Sequence, residues 1–226
     1  MGRVKRSRAW HRWAIGLGLM AFASMGCSPS TLWFLAGGSE RKQNAEYPLP
    51  PKDGKKDVTV LILATASPTL SVEFAGSERE IAALLGKKMM DQTKDGKHPV
   101  KVIEQSKLQR FKNSHSNWQT LNTASIGKQT GADYVIEFNL ESISMFQAEF
   151  AREFCQGRAA MTVNVYDVES PEAPKYTYLY NPQLPEKATI SFPPAHYRQF
   201  MIDRYATELS WKNIPHVGGN EIANVR

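Results

Sequence analysis

The stretch GADYVIEFNL, residues 131–140, decides how the chain is read. It follows a run, 119–130, that reads as a helix, and Gly131 supplies the left-handed conformation that commonly ends one. From Tyr134 onward apolar and polar side chains alternate loosely, as in a strand buried mostly on one side. Upstream, VTVLILATA (Val58–Ala66) is a short continuous apolar run rich in β-branched residues, bounded by charged residues and by Pro68, and it reads as a buried central strand. After Gly76, SEREIAALLGKKMMDQT places Ile81, Leu84, Leu85, Lys88 and Met89 at helical spacing. Ser77 is expected as its N-cap, with Glu80 three residues on completing a capping box. KHPVKVIEQ, 97–105, reads as a second strand. The order strand, helix, strand, helix, strand is an α/β unit.

The second half changes character. Residues 140–147 continue extended and a polar turn is expected over 152–157. RAAMTVNVYDV, 158–168, then sets Ala160, Thr162, Asn164 and Tyr166 on one face and Met161, Val163, Val165 and Asp167 on the other. A parallel return would need a crossover of a dozen residues or more, so an antiparallel hairpin is expected. After Pro171 and Pro174, KYTYLY carries three tyrosines at period two and reads as another strand. AHYRQFMIDRYATELSWKNIPH, 195–216, reads as a helix that ends near Pro215, with Tyr197, Phe200, Met201, Tyr205, Glu208 and Leu209 on one face. The expected fold class is α/β: a single three-layer-like domain over 57–214 with a mixed sheet, then a flexible tail over 215–226.

The amino-terminal end carries an address. Arg3, Lys5, Arg6, Arg8 and Arg12 fall in the first 12 residues with no acid, and WAIGLGLMAFASM, 13–25, is uncharged. That apolar run is shorter than the roughly 20 residues that span a bilayer, so an export signal over 1–26 is expected. Ser24-Met25-Gly26-Cys27 is similar to the lipobox of bacterial exported lipoproteins, in which the thiol receives diacylglycerol and the chain is cut on its amino side. Lipidation at Cys27 and cleavage between Gly26 and Cys27 are what that resemblance implies. Gly26 fits the small-residue requirement, and Ser24 departs from the leucine usual at its position. Cleavage after Ala21-Phe22-Ala23, and an uncleaved anchor, are the alternatives. Residues 27–56 mix Pro, Gly, Ser and charge and read as a tether, with an apolar island over 32–36 that touches the membrane or docks on the domain.

The whole chain holds 28 Lys+Arg against 22 Asp+Glu, and the five cations of the signal account for most of the excess. From Cys27 onward the balance is 23 against 22, so basicity gives no reason to expect nucleic acid as a partner. Cys155 is the other cysteine, and with Cys27 as its sole potential mate no internal disulfide framework is expected.

GADYVIEFNLESI, 131–143, followed by QGRAAMTVNVYDVES, 156–170, resembles the paired strands of a family of bacterial envelope lipoproteins. That family includes the curli-secretion outer-membrane lipoprotein, the lipoprotein activator of penicillin-binding proteins, and relatives of the amino-terminal domain of the Tol translocation protein. The resemblance covers 58–211 and concerns strands and turns, so it speaks to fold more than to activity. It implies a non-catalytic periplasmic scaffold that binds another envelope protein or forms a homo-oligomer. A membrane pore is not carried over, because the hairpin segments are too polar and too short to supply a lipid-facing band.

No catalytic constellation is legible. Cys155 has no nucleophile signature around it, and His98, His115, His196 and His216 show no metal-binding spacing. Neither phosphate-loop pattern occurs, so no metal, small-molecule cofactor or enzymatic activity is expected. Tyr176, Tyr178 and Tyr180 are the partner-binding candidates, because tyrosine combines apolar area with a wettable hydroxyl. The competing reading has the same three residues covering the C-terminal helix. A reading of another class is an exported hydrolase with a dispersed site, which would bring Glu137, Glu141 or Asp167 to a histidine in a cleft. The expected location is the periplasmic side of an envelope membrane. The outer membrane is favoured because Ser28 stands where some inner-membrane lipoproteins carry aspartate.

Overall fold

Pairing of Val58–Ala66 (β1) with Tyr134–Phe146 (β3) organises the sheet: the two run parallel, with Val60 opposite Tyr134 and Ala66 opposite Leu140. The computed structural model describes residues 42–146, 155–189 and 194–217, and all of these except Lys42 and Val217 belong to one compact unit, Gln43–His216. Gly26, Cys27 and the tail beyond Val217 lie outside the described residues.

Val100–Val102 (β2) lies parallel to β1 on its other side, and is shorter than the expected strand over 97–105. Cys155–Asp167 (β4) runs antiparallel to β3, with Tyr134 opposite Asp167 and a register shift between Leu140 and Ser142. Tyr176–Tyr180 (β5) and Gln183–Thr189 (β6) both pair antiparallel with β4, giving the order β2-β1-β3-β4-β5, with β6 also along β4. The expected hairpin is therefore present, within a mixed six-stranded sheet. The turn expected over 152–157 is corrected at its end: Cys155, Gln156 and Gly157 are buried strand residues, because β6 pairs with β4 there.

Side chains divide by parity. Val58, Val60, Ile62, Tyr134, Ile136, Phe138, Met161, Val163 and Val165 point to one face, which Ser77–Thr93 (α1) and Pro194–Asn213 (α4) cover. Leu61, Leu63 and Val135 point to the other, where Gln105–Ser114 (α2) and Thr123–Thr130 (α3) add Leu108, Phe111 and Ile126. The result is three layers, helices on both faces of a mixed sheet. Beyond α2 and α3 the second face carries Thr65, Asn139, Thr162, Asn164 and Thr177, the polar-out half of a one-sided strand pattern.

Two local expectations are corrected. Ser77 is the first residue of α1 and not its cap: Gly76, at φ 83°, takes the cap position. Ser77 Oγ and the Glu80 carboxylate both accept hydrogen bonds from Arg198 of α4, at 3.1 Å and at 2.7 and 3.0 Å. The residues of a capping box are thus used to hold one helix to another. The single helix expected over 119–130 is a 3₁₀ turn, Trp118–Thr120, followed by α3, whose N-cap Asn122 accepts from Ala124 N at 2.8 Å. Gly131 ends it at φ 81°, as expected.

Gly127 on α3 shows how closely that helix lies on the sheet. A Cβ there would collide with Val135 Cγ2 and come within 2.8 Å of Val168 Cγ2. Alanine normally gains about 1 kcal/mol over glycine inside a helix, whereas overpacking costs typically about 1 to 3 kcal/mol. Gly127→Ala is therefore expected to lower the urea-unfolding free energy by up to about 2 kcal/mol; a stabilised variant would show that α3 stands off the sheet.

Candidate functional site

The tyrosine-rich strand β5 is built by alternation. Tyr176, Tyr178 and Tyr180 point to the face under α4, while Thr177 and Leu179 point away. Tyr178 and Tyr180 are only 7% and 6% exposed. The ring of Tyr47 stacks on Tyr178 with centroids 4.1 Å apart and planes 1° from parallel. Asn213 Nδ2 donates to the Tyr178 hydroxyl at 3.0 Å, and the Tyr180 hydroxyl donates to Glu208 Oε2 at 2.7 Å. Burial pushes both phenols above their ordinary range, so they stay protonated and able to donate. These tyrosines thus cover the C-terminal helix, and what β5 turns outward is Thr177 and Leu179, the latter 69% exposed.

Tyr47 belongs to the stretch read as tether, and the part of it from Gln43 onward lies on the domain. Tyr47 N donates to Lys212 O at 2.7 Å, Leu49 is buried, and the Tyr134 hydroxyl donates to Pro50 O at 2.9 Å. Lys52 forms ion pairs with Asp167 and Glu169, and Lys55 with Asp133. A depression of about 340 Å³ opens between this segment and α4, lined by Asn44, Glu46, Tyr180, Glu208, Trp211 and His216. Trp211 stacks against His216 at 4.8 Å, and the Arg204 guanidinium lies 5.0 Å from the Trp211 ring centroid.

The carboxylates named for a dispersed hydrolase site are held apart from the histidines in their hydrogen bonds. Glu137 accepts from Thr123 at 3.1 Å and from Tyr166 at 3.3 Å, Glu141 accepts from Thr162 at 2.5 Å, and Asp167 faces Lys52 and Lys175. His98 sits by Lys56 O at 3.2 Å, and His115 stacks on Phe111 at 4.3 Å. Cys155 is buried in β4 as a free thiol. A second cleft, of about 540 Å³, is lined by Lys55, Ser125, Lys128, Asp133, Glu169 and Pro171 among others. Among the described residues no group of three or more His, Cys, Asp and Glu is arranged to hold a metal ion.

No known protein family matches the chain, and no curated protein is similar to it. Among solved structures it is similar to the PelC dodecamer from Paraburkholderia phytofirmans, at 10% identity over 75% of this chain and 95% of that one, with a TM-score of 0.40. It is also similar to the lipoprotein GNA1162 from Neisseria meningitidis, at 8% identity over 68% and 98% of the two chains and a TM-score of 0.39. The LpoB C-terminal domain from Escherichia coli gives 14% identity over 58% and 87%, with a TM-score of 0.31. These similarities are too slight to transfer either a fold or a role to this chain.

Two outcomes are expected from these contacts. Tyr178→Ala should cost about 3 to 5 kcal/mol of folding free energy, as loss of a large buried aromatic does, while Leu179→Ala should stay within about 0.5 kcal/mol. Chemical denaturation distinguishes them, and equal small effects would mean that Tyr178 is a surface residue. Asp167 gives the pH dependence: burial raises its carboxyl, but the Lys52 hydrogen bond and its charged neighbours outweigh this and hold it below the usual 3.8. A carboxyl lowered on folding stabilises above its unfolded value and loses that contribution as pH falls through the folded one. Asp167→Asn should therefore be less stable than wild type at pH 7 by about 1 to 3 kcal/mol. The gap should close as thermal melts are taken below the usual 3.8, and a gap independent of pH would remove the ion pair as its cause.

Proposed function

We propose that this chain is an exported, lipid-anchored protein of the bacterial envelope whose α/β domain works by contact with another envelope protein or with its own copies. The observation that carries the reading is the Ser24-Met25-Gly26-Cys27 box, set where an uncharged run of 13 residues ends behind five cations. A thiol at that point has a chemical use as the acceptor of diacylglycerol. The anchor inserts with roughly 0.8 kcal/mol for each buried methylene. The domain adds its own support: Asp167, Glu141 and Glu137 are spent on Lys, Thr and Tyr partners that hold segments together, a use that suits a scaffold. The periplasmic side of the outer membrane is the location that fits Ser28.

Intact-mass analysis of the protein recovered from bacterial membranes tests this. A diacylglyceryl adduct on a chain beginning at Cys27 is expected, with both the adduct and the membrane association lost in Cys27→Ala. A water-soluble chain beginning at Ser24 with a free thiol would overturn the anchor.

A further inference from the structure

Residues 105–132 contain Lys107, Arg110, Lys112 and Lys128 and not one aspartate or glutamate. Removing these four cations from the 23 against 22 that follow the signal leaves 19 against 22, so a chain near neutrality is divided into a basic part and an acidic remainder. The fold puts the whole basic part in one layer, α2 and α3, on one face of the sheet. Among the other described residues Lys52, Lys55, Lys88, Lys101, Arg198, Arg204 and Lys212 are paired with carboxylates, while the exposed Lys56, Lys87, Lys94 and Lys97 have none within 4.0 Å.

Among the described residues none of the four in this layer has a carboxylate within 4.0 Å. Lys107 donates to Thr130 O at 2.7 Å and Arg110 to Ser106 O at 3.4 Å, so each spends a hydrogen bond on a carbonyl and keeps its charge unmatched. Lys112 lies 4.2 Å from the Trp118 ring centroid, half-buried. Burial pushes its ammonium below its ordinary value and nearby Arg79 pushes it further, the mark of a cation lacking an anion. The rest of the layer's outer surface is amide and hydroxyl, from Gln105, Ser106, Gln109, Asn113, Asn117 and Gln129. Among the described residues the exposed large apolar side chains Val72, Met90, Leu179 and Val217 all lie outside it.

We propose that the outer surface of α2 and α3 is a docking face for anionic phospholipid headgroups, which would lay the domain against the membrane that anchors it. Charge complementarity supports this occupant: Lys107, Arg110 and Lys112 meet phosphate oxygens over a face whose carboxylates stand at its edges, Glu104 at the start of α2, where it accepts from Ser106 at 3.0 Å, and Asp133 and Glu169 beside Lys128 in the second cleft. The absence of exposed aromatic or aliphatic anchors makes the contact superficial, electrostatic and weakened by salt. The 16 residue-to-residue steps from Cys27 to Gln43 reach at most about 55 Å, so the domain is confined near the surface and a weak contact suffices. The inference rests on the envelope reading, and its test does not require lipidation, since either an acyl chain or an uncleaved signal holds the chain on a vesicle.

The full chain is reconstituted on vesicles of phosphatidylcholine, with and without phosphatidylglycerol, and its lysines are labelled with an amine reagent and read by mass spectrometry. On the anionic vesicles Lys107, Lys112 and Lys128 should be labelled about threefold more slowly or less, because each basic residue near such a surface adds several-fold to occupancy. The exposed Lys87, Lys94 and Lys97 should be unchanged, and high salt should restore the rates. The exposed charge reversal Arg110→Glu should abolish the protection. Equal labelling on both vesicles, or equal slowing of all six lysines, would overturn the proposal. Slowing by soluble polyglutamate without any vesicle effect would overturn it too, in favour of an acidic protein partner.

Discussion

Asp133 closes the amino end of the β1–β3 pairing, and the arrangement of the sheet depends on that closure. Its backbone N–H donates to Thr59 O at 2.7 Å, and its side-chain Oδ2 accepts from Thr59 N at 2.8 Å. Two adjacent parallel strands have no hairpin to set their register, and a slip by one residue would turn every apolar side chain to the wrong face. A residue whose backbone N–H meets the carbonyl of Thr59 while its buried carboxylate accepts from the Thr59 N–H removes that freedom. Lys55 pairs with the other carboxylate oxygen, so the charge is matched where it is buried.

With β1 and β3 fixed, the two helical layers are held by different means. On one face α1 and α4 bury a continuous apolar cluster, and Arg198 ties the start of α1 to α4 through Ser77 and Glu80. Tyr197 joins α4 to the far strands, accepting from Gly157 N at 2.5 Å and donating to Leu184 O. The other face has a smaller cluster, and α2 contributes only Leu108 and Phe111 as buried residues. That economy leaves the outward side of α2 free to carry charge. The protein thus has a tyrosine-rich, heavily cross-linked face and a lightly packed, cationic one.

The central strand, the loosely alternating strand at Tyr134, the β3–β4 hairpin and the C-terminal helix are legible in sequence because each repeats its pattern over many residues. Parity also separates the two faces of β4 correctly, and the fold turns Met161, Val163 and Val165 inward and Thr162 and Asn164 outward. The helix α2 is not legible, since two apolar residues at i and i+3 among its 10 residues give periodicity little to register. β6 is missed because Pro185 interrupts it, and it is an edge strand held by partners far along the chain.

The candidate sites divide in the same way. Three tyrosines at period two announce a shared face, but whether that face meets solvent or a helix depends on Tyr47, Glu208 and Asn213, distant in the chain and brought together by the fold. The acid-free run over 105–132 can be read directly, whereas the pairing state of its cations depends on which carboxylates the fold delivers nearby. Sequence by itself determined the α/β class, the order of the long elements and the two-face alternation of β4, because these rest on local composition and on periods of 2 and 3.6 residues. Tertiary structure alone decided which polar groups find partners and which charges stay unmatched, because hydrogen bonds and ion pairs form between residues whose separation in sequence carries no information about their separation in space.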